Sequence, residues 1–225
     1  MNQNRRCYRS SIPATATQII EKRYENGNAE AAYFYLDGEQ VGFRQWDETG
    51  ELEFEYGIQN GKKHGREYRF HPGYYLLEVT PYRNGLMHGV GKQWAADGTV
   101  LITYKMTNGS GLDLWCSHEN QTLSEEFYWP KEGESGYSRR WNDDEKSINE
   151  EYFFAAGKGY HGIWRRWNDR GHFRRGYPQY YVADQRVTKR KYLSACLTDA
   201  TLPPYCREDD GPVRTLPQEY LRQRR

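Results

Sequence analysis

The chain has 225 residues and a formal net charge of +1 at pH 7. This near-balance excludes the self-repulsion that keeps highly charged chains unfolded, and it argues against a general affinity for polyanions along the whole chain. Aromatic residues make up 16% of the chain, with 20 Tyr and 7 Trp. Such rings bury large areas while keeping a polar atom at the edge, which favours a thin sheet without a deep centre.

Glycines that mark turns recur through the first half at gaps of 11 to 13 residues, so two gaps make a repeat of about 23 residues. Most of them follow Asn or Asp, the pair that accepts the positive φ values of tight hairpin turns with least strain. The runs between them have strand length and partial alternation. The pattern predicts an antiparallel meander that reverses at Gly27, Gly38, Gly50, Gly61, Gly73, Gly85, Gly98 and Gly109.

One turn in each repeat is followed four or five residues later by a second glycine, which predicts a close backbone approach or a bulge inside a strand. An aromatic residue comes shortly afterwards, and we expect these rings to stack from repeat to repeat. The predicted structural residues are Gly38, Gly42, Gly61, Gly65, Gly85, Gly89, Gly157 and Gly162, with Trp46, Trp94, Trp141 and Trp167.

The motif that runs from Tyr82 through Asn84, Gly85 and His88 to Gly89 resembles the bacterial variant of the MORN repeat, which occurs in proteins labelled YwqK-type antitoxins. The resemblance covers roughly residues 19–181, with about five recognisable copies. It implies an elongated, twisted, single-layer sheet of stacked hairpins that serves as a binding or scaffolding surface and shares no common chemistry. The copies differ from the motif at Val41 and Ser135, which replace the usual His, and at Glu145, which replaces a turn Gly.

Three segments are predicted. Residues 1–17 are a flexible lead-in, residues 18–182 form the all-β array of antiparallel hairpins, and residues 183–225 form a short helical cap with a Pro-rich tail. Thr188 is placed to N-cap a helix that continues through Thr198. Such a helix would cover the open end of the sheet, whose unpaired backbone groups otherwise invite aggregation.

No catalytic or metal-binding motif is found. His64, His88 and His161 occupy equivalent places in the repeat, so we interpret them as structural. No serine lies in a nucleophile elbow, and no glycine-rich loop has phosphate-loop spacing. We therefore expect no enzyme activity, cofactor, metal or small-molecule substrate.

A cytoplasmic location is expected from three features. The N-terminus shows no apolar signal region, and no apolar run is long enough to span a membrane. The four cysteines share no CxxC spacing and lie mostly far apart, which favours free thiols in a reducing compartment.

Charge is segregated along the second half. Residues 113–151 hold 11 acidic and 4 basic side chains, whereas residues 160–191 hold 9 basic and 2 acidic ones. The first hypothesis is that the protein is a non-catalytic protein-interaction module or scaffold. The resemblance implies that it is an antitoxin or immunity-type protein that masks a toxin, or a component of a larger assembly. Exposed aromatic and Arg residues carry most interface energy, so the predicted contact residues are Trp164, Arg165, Arg166, Trp167, Arg170, Arg174 and Arg175.

The alternative hypothesis assigns the basic block at 160–191 to nucleic acid or phospholipid head groups, since its cations alternate with rings that can stack on bases. The net charge of +1 weakens this alternative, and a membrane surface is the weaker of its two targets. Two solvated faces of opposite charge, without any partner, are the remaining interpretation.

Overall fold

The computed structural model describes residues 8–71 and 75–223 and divides the chain into two compact units, Met1–Gly109 and Ser110–Arg225. The predicted all-β class is confirmed, because strands dominate both units and pair in antiparallel fashion. None of the helices in the described ranges is long and apolar enough to cross a membrane. The predicted reversal at Gly73 lies outside the described residues.

The N-terminal unit is the predicted meander, in which successive strands pair through tight turns and β6 pairs with both β7 and β8. Its strands are β1 (Thr17–Arg23), β2 (Ala29–Leu36), β3 (Glu39–Trp46), β4 (Leu52–Gln59), β5 (Lys62–His71), β6 (Tyr75–Arg83), β7 (Leu86–Met87), β8 (Gly89–Trp94) and β9 (Val100–Thr107).

The C-terminal unit continues the hairpin pattern and then adds helices. Its strands are β10 (Ser110–Cys116), β11 (Leu123–Trp129), β12 (Ser135–Trp141), β13 (Ile148–Ala155), β14 (Gly159–Tyr160), β15 (Gly162–Arg166), β16 (Gln179–Val182) and β17 (Gln185–Val187). They are followed by helix α1 (Lys189–Ala195), a 3-10 turn (Glu208–Asp210) and helix α2 (Gln218–Gln223).

Successive hairpin turns are joined by a repeated pair of hydrogen bonds. The backbone N–H of Asn108 donates to His88 Nδ1 at 3.1 Å, and the next N–H, of Gly109, donates to the Met87 carbonyl at 2.8 Å. The same pair recurs around His161, and a longer version at 3.5 Å joins Asn84 to His64. These contacts explain why the histidines recur at one place in the repeat, and they agree with the structural role predicted for them.

The turn between β16 and β17 uses the same geometry without glycine. Ala183 and Asp184 have φ values of 48° and 65°, close to those of Asn60 and Gly61 at 51° and 70°. Their N–H groups donate to His161 Nδ1 and to the Tyr160 carbonyl. Because neither residue is a glycine, the sequence pattern did not identify this hairpin as another copy of the repeat.

Residues 8–16 lie against the N-terminal sheet, which differs from the flexible lead-in predicted for 1–17. Tyr8 Oη donates to Glu55 Oε2 at 2.6 Å, and Ile12 is buried with Ala32 and Phe34. Burial and the Glu55 carboxylate raise the pKa of Tyr8 to about 12. Since β1 begins at Thr17, the lead-in covers one face of the sheet; residues 1–7 lie outside the described residues.

The second glycine of the repeat permits close approach, as predicted. A Cβ on Gly42 would lie 2.3 Å from Ile12 Cγ1, and a Cβ on Gly162 would lie 2.9 Å from Pro203 Cγ. Ile12 and Ser11 approach Gly42 and Gly65 in the N-terminal unit, whereas Gly89 is approached by Pro81 of the adjacent strand. Gly162 is approached both by Phe153 of β13 and by Pro203 of the C-terminal segment. The alternation of polar and apolar residues along the strands could not reveal which segments pack against these glycines.

The aromatic rings expected to stack from repeat to repeat do so between one pair of repeats, where Trp94 joins Tyr68 and Phe70 of the preceding copy in one buried cluster. Leu76 belongs to the same cluster, whereas Trp46 lies beside the Ile12 cluster. In the C-terminal unit, Trp141 Nε1 donates to Glu126 Oε2 at 3.1 Å, and Trp167 stacks on Phe173. The four indoles therefore do not form one continuous ladder.

The C-terminal segment is more ordered than a cap followed by a Pro-rich tail. Thr188 N-caps α1 as predicted, although the helix ends at Ala195 and not at Thr198. Tyr192 of α1 is buried with Ile163, Tyr180 and Leu202. Tyr220 of α2 is fully buried, and its hydroxyl accepts the Leu123 N–H at 3.1 Å. The end of the chain therefore packs on the sheet.

Gly42 has an ordinary negative φ, so adding a methyl group there tests packing against Ile12 and not backbone strain. We expect Gly42→Ala to lower the free energy of unfolding by roughly 1 to 3 kcal/mol because Ile12 must move. Denaturant titration would measure this. Gly211→Ala is the control, since its Cβ would come no nearer than 3.8 Å to any atom. The Gly42→Ala cost should shrink in an Ile12→Ala background, and an unchanged cost there would contradict the packing explanation.

Candidate functional site

Strand β15 carries most of the predicted contact residues and divides them between two faces of the C-terminal sheet. Arg165 lies opposite Glu151, which lies opposite Arg139, which in turn lies opposite Glu126. Because side chains alternate along a strand, Trp164 and Arg166 point to the other face.

The face that holds Arg165 is covered by the C-terminal segment. Glu151 is buried and receives three guanidinium groups: Arg165 Nη1 at 3.0 Å, Arg139 Nε at 2.9 Å and Arg214 Nη2 at 3.1 Å. Burial by itself would raise the pKa of Glu151, but Arg214, Arg139 and Arg165 outweigh it and hold the pKa below its usual range. Glu151 therefore stays ionised and holds the Arg214 side chain over the sheet.

Arg165 and Trp167 were predicted to be exposed contact residues, and the structure corrects this. Each is 1% exposed. Trp167 Nε1 donates to the Asp210 carbonyl at 2.9 Å, and the Arg214 guanidinium lies 5.6 Å from the indole centroid. Both residues hold the C-terminal segment in place and line no surface.

The opposite face of the C-terminal sheet carries partly exposed aromatic rings that touch one another across successive strands. The ring centroids of Phe127 and Phe154 are 5.0 Å apart, and those of Tyr160 and Trp164 are 4.8 Å apart. We name this surface the open aromatic face and define it by Phe127, Trp129, Tyr152, Phe154, Tyr160, Trp164, Tyr177 and Tyr181.

Glycine and charge shape this face. A Cβ on Gly136 would lie 2.5 Å from Phe154 Cζ, so the missing side chain lets that ring lie flat across β12. Beside the rings, Glu150 is shared by Arg166 at 3.3 Å and Arg140 at 3.7 Å, and its Oε1 accepts the Trp164 Nε1–H at 2.8 Å. The face therefore combines apolar area with paired charges.

The remaining predicted contact residues, Arg170, Arg174 and Arg175, lie in the exposed segment between β15 and β16. Arg174 Nε donates to the Trp167 carbonyl at 3.0 Å, which ties this segment back to the end of β15. The predicted set therefore separates into Trp164 on the open aromatic face, Arg166 beside it, two buried residues and three residues on a loop.

A smaller aromatic surface occurs in the N-terminal unit, on the face opposite Ile12. Tyr33, Phe43 and Tyr56 are cross-strand neighbours, with centroids 5.1 and 5.3 Å apart. Lys63 Nζ lies 4.6 Å from the Tyr56 centroid, in cation–π range. Both units thus follow one plan, with one face covered by a chain terminus and the other rich in rings.

Most residues of the open aromatic face were not predicted from the sequence. In β13, residues 152–154 read Tyr-Phe-Phe, so rings point to both faces and alternation cannot tell which are covered. The glycine at 136 opposite Phe154 was an available signal, because a glycine across from an aromatic residue leaves room for the ring.

His161 is the buried member of a second polar cluster, whose other side chains are partly exposed. Its Nε2 lies 2.9 Å from Thr201 Oγ1, which in turn lies 2.5 Å from Asp199 Oδ1, and Lys158 Nζ contacts Asp199 Oδ2 at 2.9 Å. Because Nδ1 accepts the Ala183 N–H, the neutral ring carries its proton on Nε2 and cannot take one from Thr201. The cluster therefore ties the C-terminal segment to the repeat and has no nucleophile–base arrangement.

Across the described residues, no group of three or more His, Cys, Asp or Glu side chains is placed to hold a metal ion.

We expect Arg165→Ala to lower the free energy of unfolding by roughly 3 kcal/mol, because it leaves the buried Glu151 carboxylate without one of its cations. Arg166→Ala is the matched control. Arg166 is 37% exposed and pairs at the surface, so its loss should cost no more than about 1 kcal/mol. Equal costs in chemical denaturation would contradict the burial of Arg165.

Burial lowers the pKa of His161, Lys158 lowers it further, and Asp199 only partly opposes them. The unfolded chain takes up this proton near the ordinary pKa of about 6.5, whereas the folded chain resists it, so stability should fall as the pH drops below that value. Denaturation at about pH 7.5 and 5.5 would measure the loss. His161→Gln removes the titrating group, and its pH dependence should be shallower; identical slopes would exclude His161 as the source.

Comparison of the chain with models of known protein families and with curated protein sequences finds no match. The interpretation of the site therefore depends on its own geometry.

Proposed function

We propose that the protein is a non-catalytic protein-interaction module whose main contact surface is the open aromatic face. The observation that carries this proposal is the run of touching, partly exposed rings from Phe127 to Tyr181, on the face that the C-terminal segment leaves uncovered. Aromatic side chains provide rigid contact area at little entropic cost and are enriched at the energetic centres of interfaces.

The charged residues beside the rings support a protein partner more than a polyanion. Arg166 and Arg140 share Glu150, and Arg140 also pairs with Glu125, so two carboxylates accompany these two cations. Such paired charges are typical of the polar rim of a protein interface, where they contribute register and specificity. A nucleic acid would require unpaired cations along its backbone.

A masking role of the antitoxin or immunity type is the specific form that we propose, on the basis of the MORN-like motif around Asn84 and Gly85. Masking requires a broad face held rigidly, and the turn-to-turn hydrogen bonds at His88 and His161 supply rigidity of that kind. A cytoplasmic location belongs to the same proposal, since Cys116, Cys196 and Cys206 are free thiols, which persist in a reducing compartment.

The alternative of nucleic-acid or phospholipid binding by residues 160–191 has less support. Arg165 is buried against Glu151, and Arg166 pairs with Glu150, so two cations of the block are not available to phosphates.

The proposal is tested by affinity capture of the full chain from its native host, followed by binding measurements with the purified partner. We expect one protein in stoichiometric yield that withstands moderate salt. Trp129→Ala combined with Tyr152→Ala should weaken its binding about 10-fold or more, because exposed rings at an interface centre carry much of its energy.

Leu197→Ala is the matched control, since Leu197 is an 86% exposed apolar residue outside the open aromatic face. It should leave the affinity unchanged. Wild-type affinity in the double variant would reject the open aromatic face, and retention of nucleic acid alone at low salt would reject a protein partner.

A further inference from the structure

Three hairpin turns of the N-terminal unit share one dipeptide, asparagine followed by glycine, in one conformation. The asparagines are Asn60, Asn84 and Asn108, with φ values of 51°, 52° and 50°, and all three are exposed. An asparagine in this context can lose its side-chain amide in water, because the following glycine has no Cβ to shield its main-chain nitrogen. The shared dipeptide makes the three turns equally reactive, so any difference between them must come from the fold.

This deamidation depends on the glycine nitrogen. The glycine N–H gives its proton to hydroxide, and the nitrogen attacks the side-chain carbonyl carbon Cγ of the asparagine. A new N–C bond closes a succinimide ring, and the amide nitrogen leaves as ammonia. Water then opens the ring at either carbonyl and leaves aspartate or isoaspartate, so the net reaction consumes one water and releases one ammonia. The glycine N–H must therefore be free to lose its proton and to turn toward the side chain.

The fold holds the glycine N–H in two of the three turns. The Gly85 N–H donates to the Lys63 carbonyl, and the Gly109 N–H donates to the Met87 carbonyl, each at 2.8 Å. Across residues 8–71 and 75–223, no acceptor is found for the N–H of Gly61. Since a hydrogen-bonded nitrogen must first break its bond, the nitrogen of Gly61 is the one best able to react.

The asparagine N–H differs between the turns in the same sense. Asn108 donates to His88 Nδ1 at 3.1 Å, and Asn84 lies 3.5 Å from His64 Nδ1. In the repeat before Asn60, Val41 has the place of the histidine and offers no side-chain acceptor. The first turn of the three therefore lacks both bonds that tie a turn to the one before it.

The space around the glycines shows the same difference. A Cβ on Gly61 would meet no atom within 4 Å. A Cβ on Gly85 would lie 3.6 Å from Lys62 Cβ, and a Cβ on Gly109 would lie 3.3 Å from Leu86 Cδ2. Lys62 and Leu86 come from the preceding hairpin, so they limit how far the two later turns can rearrange during the reaction.

We infer that Asn60 is a site of spontaneous deamidation in the folded protein, and that the turn-to-turn contacts protect Asn84 and Asn108. The product places a carboxylate two residues before Lys62. Isoaspartate also adds one carbon to the main chain of a turn that the Gln59–Lys62 pair closes. The modification therefore changes both the charge and the backbone length of the β4–β5 hairpin.

The test is incubation of the purified full chain under mildly alkaline conditions, followed by digestion and mass spectrometry of the peptides that contain each asparagine. Asn60 should be deamidated about 2- to 10-fold faster than Asn84 or Asn108, the factor expected from the loss of one hydrogen bond. In denaturant the three rates should become similar, because no turn is then protected. Equal rates in the folded chain would overturn the proposal. So would a difference that persists in denaturant, since the flanking sequence would then be its cause.

His88→Ala tests the protection directly, because it removes the acceptor of the Asn108 N–H. The rate at Asn108 should rise about 2-fold or more, with Asn60 in the same sample as the reference. His172→Ala is the matched control, since this exposed histidine lies outside the N-terminal unit. It should leave the ratio of the two rates unchanged. The same ratio in both variants would contradict protection by the turn-to-turn bond.

Discussion

A β-sheet one layer thick leaves both faces in water unless another part of the chain covers one of them. In the N-terminal unit, residues 8–12 provide this cover, with Ile12 over Gly42 and the Tyr8 hydroxyl on Glu55. In the C-terminal unit, the segment after α1 does so, held by Arg214 on Glu151. Each cover combines apolar packing with a buried carboxylate of the sheet that accepts a hydrogen bond from the covering segment as well as from neighbouring strands, and this bond fixes the segment in one position.

Covering one face determines what the other face can do. The buried ionic network around Glu151 lies on the protected side, whereas the partly exposed rings and the ion pairs of Glu150 lie on the accessible side. Arg165 and Arg166 illustrate this division, because they are adjacent in sequence but point to opposite faces. The first stabilises the fold, and the second lies beside the surface that we propose for partner binding. A double substitution of both residues would therefore mix stability with recognition.

Much of the strand order could be predicted from the sequence, because Asn-Gly and Asp-Gly turns and a repeated glycine set the reversals and their spacing. Two kinds of feature could not be predicted from the sequence. Contacts distant in sequence, such as Ile12 with Gly42 or Tyr220 with Leu123, leave no periodic signal. The sequence also did not indicate which face of the sheet is covered, since β13 has aromatic residues that point to both faces. Trp164 and Arg166 were predicted as contact residues from their residue type. The same reasoning wrongly predicted that Arg165 and Trp167 are exposed.

The bond between one turn and the next has a consequence for how the array changes in length. His88 and His161 supply the acceptor from a side chain, but the donor is a main-chain N–H, which every residue except proline possesses. Ala183 serves as well as Asn108. A duplicated or deleted hairpin pair therefore restores the same linkage without a compensating substitution in its neighbour. The linkage between turns therefore places little constraint on the number of hairpins in the array.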